Sequence, residues 1–166
     1  MILTGNEIKK QVSESNIQIS DFSNERINPN SYNYRLGKEL KIFTGTDSLG
    51  NQIFEEVTIP EEGFVLEPGA MYLGVTEEVI GSSKYAMSLI GRSSLGRYGL
   101  FLQVSANLGH TTSCHRWTLE IYACKKIKVY PLMNIGQVSF WDNYGEVTCF
   151  GKTYANFNLP TETVEK

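Results

Sequence analysis

The chain has 166 residues, of which 41% are hydrophobic and 20% charged, and this is the size and composition of one globular domain with a full core. Its 15 lysines and arginines against 18 aspartates and glutamates give a net charge of −3, which argues against a sequence-independent nucleic-acid binder, since such proteins carry surplus cations. It lacks an apolar stretch of about 18 residues and a visible secretory signal, and its three cysteines have no framework spacing, so we expect a soluble cytoplasmic protein with reduced thiols.

The first predicted element is a short amphipathic helix between Leu3 and Val12. Apolar side chains at Leu3, Ile8 and Val12 recur among charged residues, which is the pattern of a helix with one buried face. Thr4 is a candidate N-cap, and Glu7 follows it at the spacing of a capping box. We therefore expect one short helix at the start of the chain.

The segments that follow have the pattern of an all-β domain. Short apolar runs are separated by Gly, Pro, Asn and Asp, and the 15 glycines, nine tyrosines and eight phenylalanines suit turns and pleated strands. The run RWTLEIYA alternates between a polar and an apolar face. The predicted polar face holds Arg116, Thr118, Glu120 and Tyr122, and the apolar face holds Trp117, Leu119 and Ile121. No repeat or linker divides the chain, so we expect a single domain over 1–166 with a C-terminal tail at 150–166.

The segment GRSSLGR, from Gly91 to Arg97, is the strongest local signal for a ligand. A serine pair after a glycine can cap a short helical turn, and free backbone N–H groups at such a turn bind phosphate oxygens together with hydroxyl and guanidinium groups. The alternative is an ordinary turn in which Ser93 caps one helical turn and both arginines are solvated. The segment is not a Walker loop, since it contains no Gly-Lys-Ser/Thr.

Glu120 is a candidate general base. It lies on a strand whose other face is apolar, so its carboxylate could point into a cleft and move a proton there. The alternative is a solvated strand glutamate, because a single carboxylate is a weak signal. In the tail, Tyr154 and Phe157 beside Lys152 would suit stacking on a base and pairing with a phosphate, or would be incidental aromatics of a frayed terminus.

Three potential metal ligands, His110, Cys114 and His115, lie close together in the sequence. Their spacing does not match a zinc deaminase, because those enzymes carry H-x-E and a later P-C-x-x-C, and neither string occurs here. We therefore expect a pair of loop histidines and a small buried thiol, with no zinc. The nucleophile elbow G-x-S-x-G is also absent, which argues against Ser-His-Asp hydrolysis.

Most of the chain resembles the dCTP deaminase branch of the dCTP deaminase and dUTPase family. The resemblance runs, in order, through MILTGNEIKK, INPNSYNYRLG, FVLEPGAMYLGVTEEVI, GRSSLGRYGL, RWTLEIYA and VYPLMNIGQVSFW. It implies an all-β subunit with minor helices, built as a distorted β-barrel or jelly-roll of the dUTPase-like type. It also implies a homotrimer with active sites at subunit interfaces, and magnesium carried by the triphosphate. The expected partners are dCTP and dUTP, with dTTP left open as an inhibitor, and neither nucleic acid nor membrane.

Residue roles follow from the resemblance position by position. The implied catalytic residues are Glu120, Ser93 and Arg97, with Arg97 reaching the site from its own or a neighbouring subunit. The implied substrate-binding residues are Arg92, Ser93, Ser94, Arg97, Val104, Ser105, Ala106, Lys152 and Tyr154. In the implied zinc-free mechanism, Glu120 removes a proton from the water that attacks C4 of cytosine and delivers protons as ammonia leaves. The tail would close over the nucleotide.

Four positions depart from the family pattern. His110 stands where dUTPases and bifunctional deaminases carry the aspartate that orients water toward the phosphates, which favours dUTP rather than dUMP as the product. Leu132 replaces the glycine of a Pro-Gly turn, and Asn33 and Leu108 replace an aspartate and an arginine of related sequences. Two alternatives remain: a dUTP diphosphatase or bifunctional dCTP deaminase/dUTPase, and a catalytically silent nucleotide-binding regulator of the same fold.

Overall fold

The computed structural model describes residues 1–149 and 158–162, and within these ranges it is built mostly of strands. The helical elements are α1 (Gly5–Ser13), a 3₁₀ turn at Asn24–Arg26 and α2 (Ser93–Tyr98). The strands are β1 (Ile17–Ile19), β2 (Ile27–Asn28), β3 (Ser31–Arg35), β4 (Glu39–Thr46), β5 (Gln52–Thr58), β6 (Phe64–Leu66), β7 (Met71–Ser82), β8 (Tyr85–Gly91), β9 (Leu100–Leu102), β10 (Leu108–Gly109), β11 (Cys114–Ala123), β12 (Ile127–Val129) and β13 (Asn134–Asp142).

The predicted N-terminal helix is confirmed, together with its cap. The Thr4 hydroxyl accepts a hydrogen bond from the Glu7 backbone N–H at 3.3 Å, which satisfies one of the free donors at the start of α1. Ile8 is fully buried against the core, as the apolar spacing predicted. The helix ends at Ser13, one residue beyond the predicted boundary.

Two larger antiparallel sheets pack around one core, and we call them sheet I and sheet II. Sheet I has the strand order β5-β4-β7-β11-β9, with β1 paired to the end of β7. Sheet II has the order β10-β8-β13-β3-β2, and β12 and β6 form a separate two-stranded ribbon. Buried tyrosine, leucine, isoleucine and valine side chains from both sheets fill a single hydrophobic cluster.

The chain crosses between the two sheets in the region of the predicted ligand site. It leaves sheet II at the end of β8, passes through α2 and enters sheet I as β9. After β9, residues 103–107 form a loop that returns the chain to sheet II at β10, and β11 then follows in sheet I. The GRSSLGR segment and the loop 103–107 are therefore two of the linkers that join the sheets here.

Close packing against a buried tyrosine explains the glycine at position 136 of sheet II. A Cβ atom built on Gly136 would lie 2.1 Å from the Tyr34 ring, so the buried tyrosine needs a glycine beside it. The Tyr34 hydroxyl donates to the Ile90 carbonyl at 3.0 Å, and burial raises the pKa of that phenol.

The turn before β13 is strained at Leu132. This residue has φ 61, the left-handed conformation that the expected glycine would adopt freely.

A buried ionic cluster ties β3 and β7 to the 3₁₀ turn. The Glu78 carboxylate is fully buried and accepts from Arg35 Nε at 2.6 Å and from the Arg35 backbone N–H at 2.9 Å. Arg26 Nη1 lies 3.2 Å from the same carboxylate, and Asp21 pairs with both arginines from the surface. Each charge in the cluster therefore has an opposite partner, as burial requires.

The expected fold class is confirmed as all-β with minor helices and jelly-roll-like sheets. Within residues 1–149 and 158–162 the sheets stay open, so no closed barrel forms. Among the same residues, no helix has the length and apolar character that a membrane span needs. Tyr32, Tyr34 and Leu36 are fully buried, and the polar residue Asn33 between the two tyrosines is buried as well.

Candidate active site

Strand β11 presents Glu120 on the outward face of sheet I. Leu119 and Ile121 are buried on the inner face, while Glu120 is half-buried, which confirms the predicted alternation at these positions. In the cross-strand register, Leu73 of β7 lies opposite Glu120, and Lys41 of β4 lies opposite Leu73. Directly opposed residues share one face of a sheet, so Lys41, Leu73 and Glu120 form one row across it.

Trp117 lies on the predicted apolar face and packs against the hydrophobic core, but it is only half-buried. The register between β11 and β7 shifts between Arg116 and Thr118, where the extra residues are on β7. Its backbone N–H donates to Thr76 Oγ1 at 2.8 Å, and its indole N–H donates to the Ile80 carbonyl at 2.8 Å. Trp117 also lines the cleft that holds Glu120.

A cleft of about 440 Å³ lies over this part of sheet I. Its walls come from β5, β7 and β11, from the chain between Gln103 and His110, and from Thr161 and Glu162 near the C-terminus. Glu120 and Glu162 are the acidic residues of this lining, and the rest of the wall mixes aromatic, aliphatic and amide groups. A cleft with mostly apolar walls and few polar groups suits a flat heterocyclic base.

Two neighbours hold Glu120. The Ser105 hydroxyl donates to Glu120 Oε2 at 3.3 Å, so the carboxylate is in contact with the loop 103–107. On the backbone, the Glu120 N–H donates to Gln103 Oε1 at 2.7 Å, and the Gln103 N–H donates to the Glu120 carbonyl at 3.0 Å. The structure therefore brings together Glu120, Ser105 and Ala106 of the predicted site, with Ala106 in the wall of the same cleft.

The loop 103–107 exposes the residues that were expected to face a pyrimidine. Val104 is 71% exposed, and Ser105 and Ala106 are exposed as well. Exposed loop residues between two strands are often the ones that contact a ligand. Val104 is outside the wall of the cleft, whereas Ala106 is part of it.

The GRSSLGR segment forms the short helix α2, and its capping differs from the expectation. Arg92 is the N-cap residue and makes no side-chain capping bond, so the prediction that Ser93 is a cap was wrong. Ser93 is the first helical residue, and Ser93, Ser94 and Arg97 are exposed. Arg92 Nη1 donates to the Asn134 carbonyl at 3.3 Å, and Gly99, at φ 95, ends the helix.

The cleft around Glu120 does not include the four residues predicted to hold phosphates. Its lining contains none of Arg92, Ser93, Ser94 and Arg97. On a single chain, the phosphate-binding candidates and the candidate base therefore do not share this cleft. Lys152, Tyr154 and Phe157 of the tail are outside the described residues.

The segment 158–162 lies across the outward face of sheet I beside the cleft. The Thr161 N–H donates to Thr118 Oγ1 at 3.2 Å, and Lys41 Nζ lies 2.6 Å from Glu162 Oε2. The Lys41 ammonium lowers the pKa of the Glu162 carboxyl, mainly through that hydrogen bond. Lys41 belongs to the same row as Glu120, so this contact brings the segment 158–162 to the candidate site.

Arg116 anchors the other end of the same segment. Its backbone N–H donates to Asn158 Oδ1 at 2.9 Å, and its Nη1 donates to the Asn158 carbonyl at 3.3 Å. Its Nη2 pairs with Glu39 Oε2 at 2.9 Å, and this hydrogen-bonded pairing lowers the pKa of Glu39. The segment is thus held to sheet I by Arg116, Thr118 and Lys41.

The three potential metal ligands are engaged in other contacts. The Cys114 thiol donates to Gln18 Oε1 at 3.1 Å, and burial raises the pKa of that thiol. His115 is buried, with its ring centroid 4.1 Å from that of Trp117 and its Nδ1 2.7 Å from the Arg116 carbonyl. No group of three or more His, Cys, Asp or Glu side chains in the described part of the chain is placed to hold a metal ion.

Comparison with known proteins identifies the family. A family model described as dCTP deaminase-like matches residues 2–143, which is most of the chain. The chain belongs to the dCTP deaminase-like family. A protein of Clostridium botulinum (strain Eklund 17B / Type B) is 44% identical over 162 residues, covering 95% of this chain and 92% of its own. A protein of Clostridium beijerinckii is 45% identical over 148 residues, covering 88% and 85% respectively. Both relatives are named "dCTP deaminase, dUMP-forming".

A solved structure supports the fold. The 2'-deoxycytidine 5'-triphosphate deaminase of Agrobacterium tumefaciens aligns with a TM-score of 0.69 at 21% identity, over 86% of this chain. The aligned region is 48% of that protein's chain, so this chain spans about half its length. The dUTPase-like architecture expected from the sequence is therefore shared with a member of the dCTP deaminase-like family.

Sequence reasoning missed two residues of the site in this dCTP deaminase-like chain. Gln103 bonds the backbone of Glu120, and Lys41 shares its row and holds Glu162. Neither residue belongs to a recognisable motif, since Gln103 follows an apolar strand and Lys41 lies in an ordinary alternating strand. Nothing in the local pattern distinguishes them from solvated surface residues.

Proposed function

We propose that this chain is a dCTP deaminase that hydrolyses dCTP to dUTP and ammonia. The observation that carries the proposal is the placement of Glu120: its carboxylate faces a cleft, a hydroxyl from the loop 103–107 donates to it, and its backbone is held on both sides. The family membership supports the same reaction class, hydrolysis of a C–N bond of a cytosine ring.

Glu120 would act as the proton shuttle of the reaction. It accepts a proton from water as the water oxygen forms a bond to C4, and it passes this proton to N3 of the ring. It then accepts the proton of the new C4 hydroxyl and gives it to the amino group. The C4–N bond breaks with its electron pair on nitrogen, so ammonia leaves and the C4 carbonyl remains. A single well-placed carboxylate can perform both transfers, and general acid–base catalysis of this kind contributes about 10²- to 10⁴-fold.

The other predicted site residues would bind the nucleotide. Ser105 and the backbone of Val104 and Ala106 would contact the base and stabilise charge at C4. The phosphates would be held by Arg92, Ser93, Ser94 and Arg97, with Lys152 and Tyr154 of the tail. Magnesium would arrive with the triphosphate, since Mg²⁺ in such sites is held largely by phosphate oxygens and water.

We also propose that the active enzyme is a homotrimer whose sites are shared between subunits. On the outward face of sheet I, Met71, Tyr122 and Phe101 form a row of exposed apolar side chains next to the row that holds Glu120. A contiguous apolar row suits a subunit contact. The separation of Arg97 from the cleft on one chain further supports a site that is completed by a second copy.

Mixing two inactive variants tests the shared site. Glu120→Gln and Arg97→Ala each lack one half of the site. Refolding them together at equal amounts should restore about a quarter of the wild-type activity, because in a randomly mixed cyclic trimer about one site in four receives both intact residues. Light scattering should report three chains per particle. Activity that stays absent in the mixture, with both variants assembled, would contradict the shared site.

The deamination itself is tested with purified protein, dCTP and Mg²⁺. We expect release of ammonia and loss of cytosine absorbance, and we expect Glu120→Gln to lower turnover about 10²- to 10⁴-fold while nucleotide binding remains. Glu77→Gln is the matched control, because Glu77 is a half-buried glutamate on neighbouring β7 outside the cleft. Turnover should also survive removal of zinc by a chelator followed by addition of Mg²⁺. A fully active Glu120→Gln variant would refute the assignment.

A second candidate reaction continues to dUMP and pyrophosphate. The names of the C. botulinum and C. beijerinckii relatives favour it, whereas His110, in the wall of the cleft at the position of the missing aspartate, favours release of dUTP. Parallel incubation with dCTP, dCMP and dUTP, with chromatography of the products, separates the two. Pyrophosphate released from dUTP would establish the dUMP-forming reaction. Calorimetric binding of dCTP or dTTP without turnover would instead indicate a silent regulator.

A further inference from the structure

Gln103 makes an unusual set of hydrogen bonds for a loop residue. Its backbone N–H donates to the Glu120 carbonyl at 3.0 Å, and its side-chain Oε1 accepts from the Glu120 N–H at 2.7 Å. Its Nε2 donates to the Ala106 carbonyl at 3.0 Å. One side chain therefore connects the strand that carries Glu120 to the far side of the loop 103–107.

The hydrogen bonds between Gln103 and Glu120 begin where the pairing of β9 with β11 ends. The last paired residues of β9 and β11 are Leu102 and Ile121. At the next position the chain turns away, because Gln103 adopts the left-handed conformation with φ 51. The Gln103 amide then replaces the missing strand as acceptor for the Glu120 N–H. The backbone N–H and carbonyl of Glu120 therefore both have partners although the neighbouring strand has ended.

The same side chain holds one end of the loop, and Asn107 holds the other. The Asn107 carbonyl accepts from the Leu89 N–H at 2.8 Å, and Asn107 Nδ2 donates to Ser88 Oγ at 3.1 Å, which ties this end to β8 of sheet II. Between these ends lies the exposed Ser105, whose hydroxyl contacts the Glu120 carboxylate. The distance between that hydroxyl and the carboxylate therefore depends on the Gln103 bridge.

We propose that Gln103 is a positioning residue for the reaction: it sets the place of Glu120 and of the loop 103–107 relative to each other. This inference rests on the proposed deaminase function. Gln103 acts through its neighbours, by holding the proton-transferring carboxylate and the base-facing loop in one arrangement. Its loss should reduce the rate of the chemical step, since small displacements of reacting groups cost about 10²-fold.

The test replaces Gln103 by methionine, which has a similar length but neither the amide donor nor the acceptor. Gln18→Met is the matched control, because Gln18 bonds Cys114 at the opposite end of β11. We expect Gln103→Met to lower kcat about 10- to 100-fold with KM for dCTP changed less than about twofold, and Gln18→Met to leave both unchanged. A double-mutant cycle with Ser105→Ala should show losses in kcat that are not additive. A kcat within about twofold of wild type, or additive losses, would overturn the proposal.

A second measurement does not depend on turnover. Hydrogen exchange of the Glu120 amide and of the amides of 103–107 should be at least about tenfold faster in Gln103→Met than in wild type or Gln18→Met. Unchanged exchange would overturn the bridge. If the wild-type protein releases no ammonia from dCTP, the proposed function fails, and the exchange data alone then decide whether Gln103 holds Glu120 and the loop.

Discussion

Removing the carboxylate of Glu78 should destabilise this protein more than almost any other single change to a charged residue. Its side chain is 0% exposed, and the guanidinium-bearing side chains of Arg26 and Arg35 are only 10% and 18% exposed. In Glu78→Ala both arginines lose their buried carboxylate, and among the described residues Asp21 at the surface is then their remaining charged partner. Arg26 also keeps its hydrogen bond to the Tyr32 hydroxyl. Breaking a buried pair from one side costs about 3–5 kcal/mol, because an uncompensated charge remains in the interior.

The magnitude is measurable in a domain of this size. A loss of about 3–5 kcal/mol corresponds to a decrease in Tm of about 6–20 °C. Urea and thermal unfolding of Glu78→Ala would be compared with Glu61→Ala, since Glu61 forms an ion pair with Lys38 but is 81% exposed. For this exposed pair we expect about 0–1 kcal/mol.

Glu78→Gln provides a second variant if the alanine variant does not fold. The glutamine amide keeps the shape of the side chain and one acceptor oxygen. The loss of stability in Glu78→Gln should therefore lie between the losses in Glu78→Ala and Glu61→Ala. If Glu78→Ala unfolds with a free energy within about 1 kcal/mol of wild type, the reasoning about the buried cluster is refuted.

Three further predictions concern the terminal segment and the packing of the fold. Lys41 lowers the pKa of Glu162, so their contact stabilises the segment 158–162 at pH values above the unfolded pKa of a glutamate and is lost as the pH falls through the lower folded pKa. Amide hydrogen exchange in this segment, corrected for intrinsic rates, should therefore become faster in acid. Glu162→Gln should produce the same faster exchange at neutral pH. Gly136→Ala should destabilise strongly, since a new Cβ would meet the rigid Tyr34 ring at 2.1 Å, and an unchanged Tm would contradict that packing. Thr4→Ala should cost about 0.5–2 kcal/mol in urea unfolding, and no loss would mean that its capping bond contributes nothing.

Local patterns in the sequence determined the first helix, the β-rich character and the face that carries Glu120. These features depend on residues close together in the chain: the Thr4 hydroxyl reaches an N–H three residues later, and successive strand residues point to opposite faces. The same patterns failed at α2, where Ser93 entered the helix instead of capping it.

Only the tertiary structure decided how the site is assembled. The contacts of Glu120 with Gln103, of Thr118 with Thr161, and of Lys41 with Glu162 join residues distant in sequence. Such contacts follow from the packing of two sheets and from where the linkers between them cross, and no spacing along the chain encodes them. For the same reason the sequence predicted a phosphate-binding segment and a candidate base, whereas only the fold showed that the cleft around Glu120 does not include that segment.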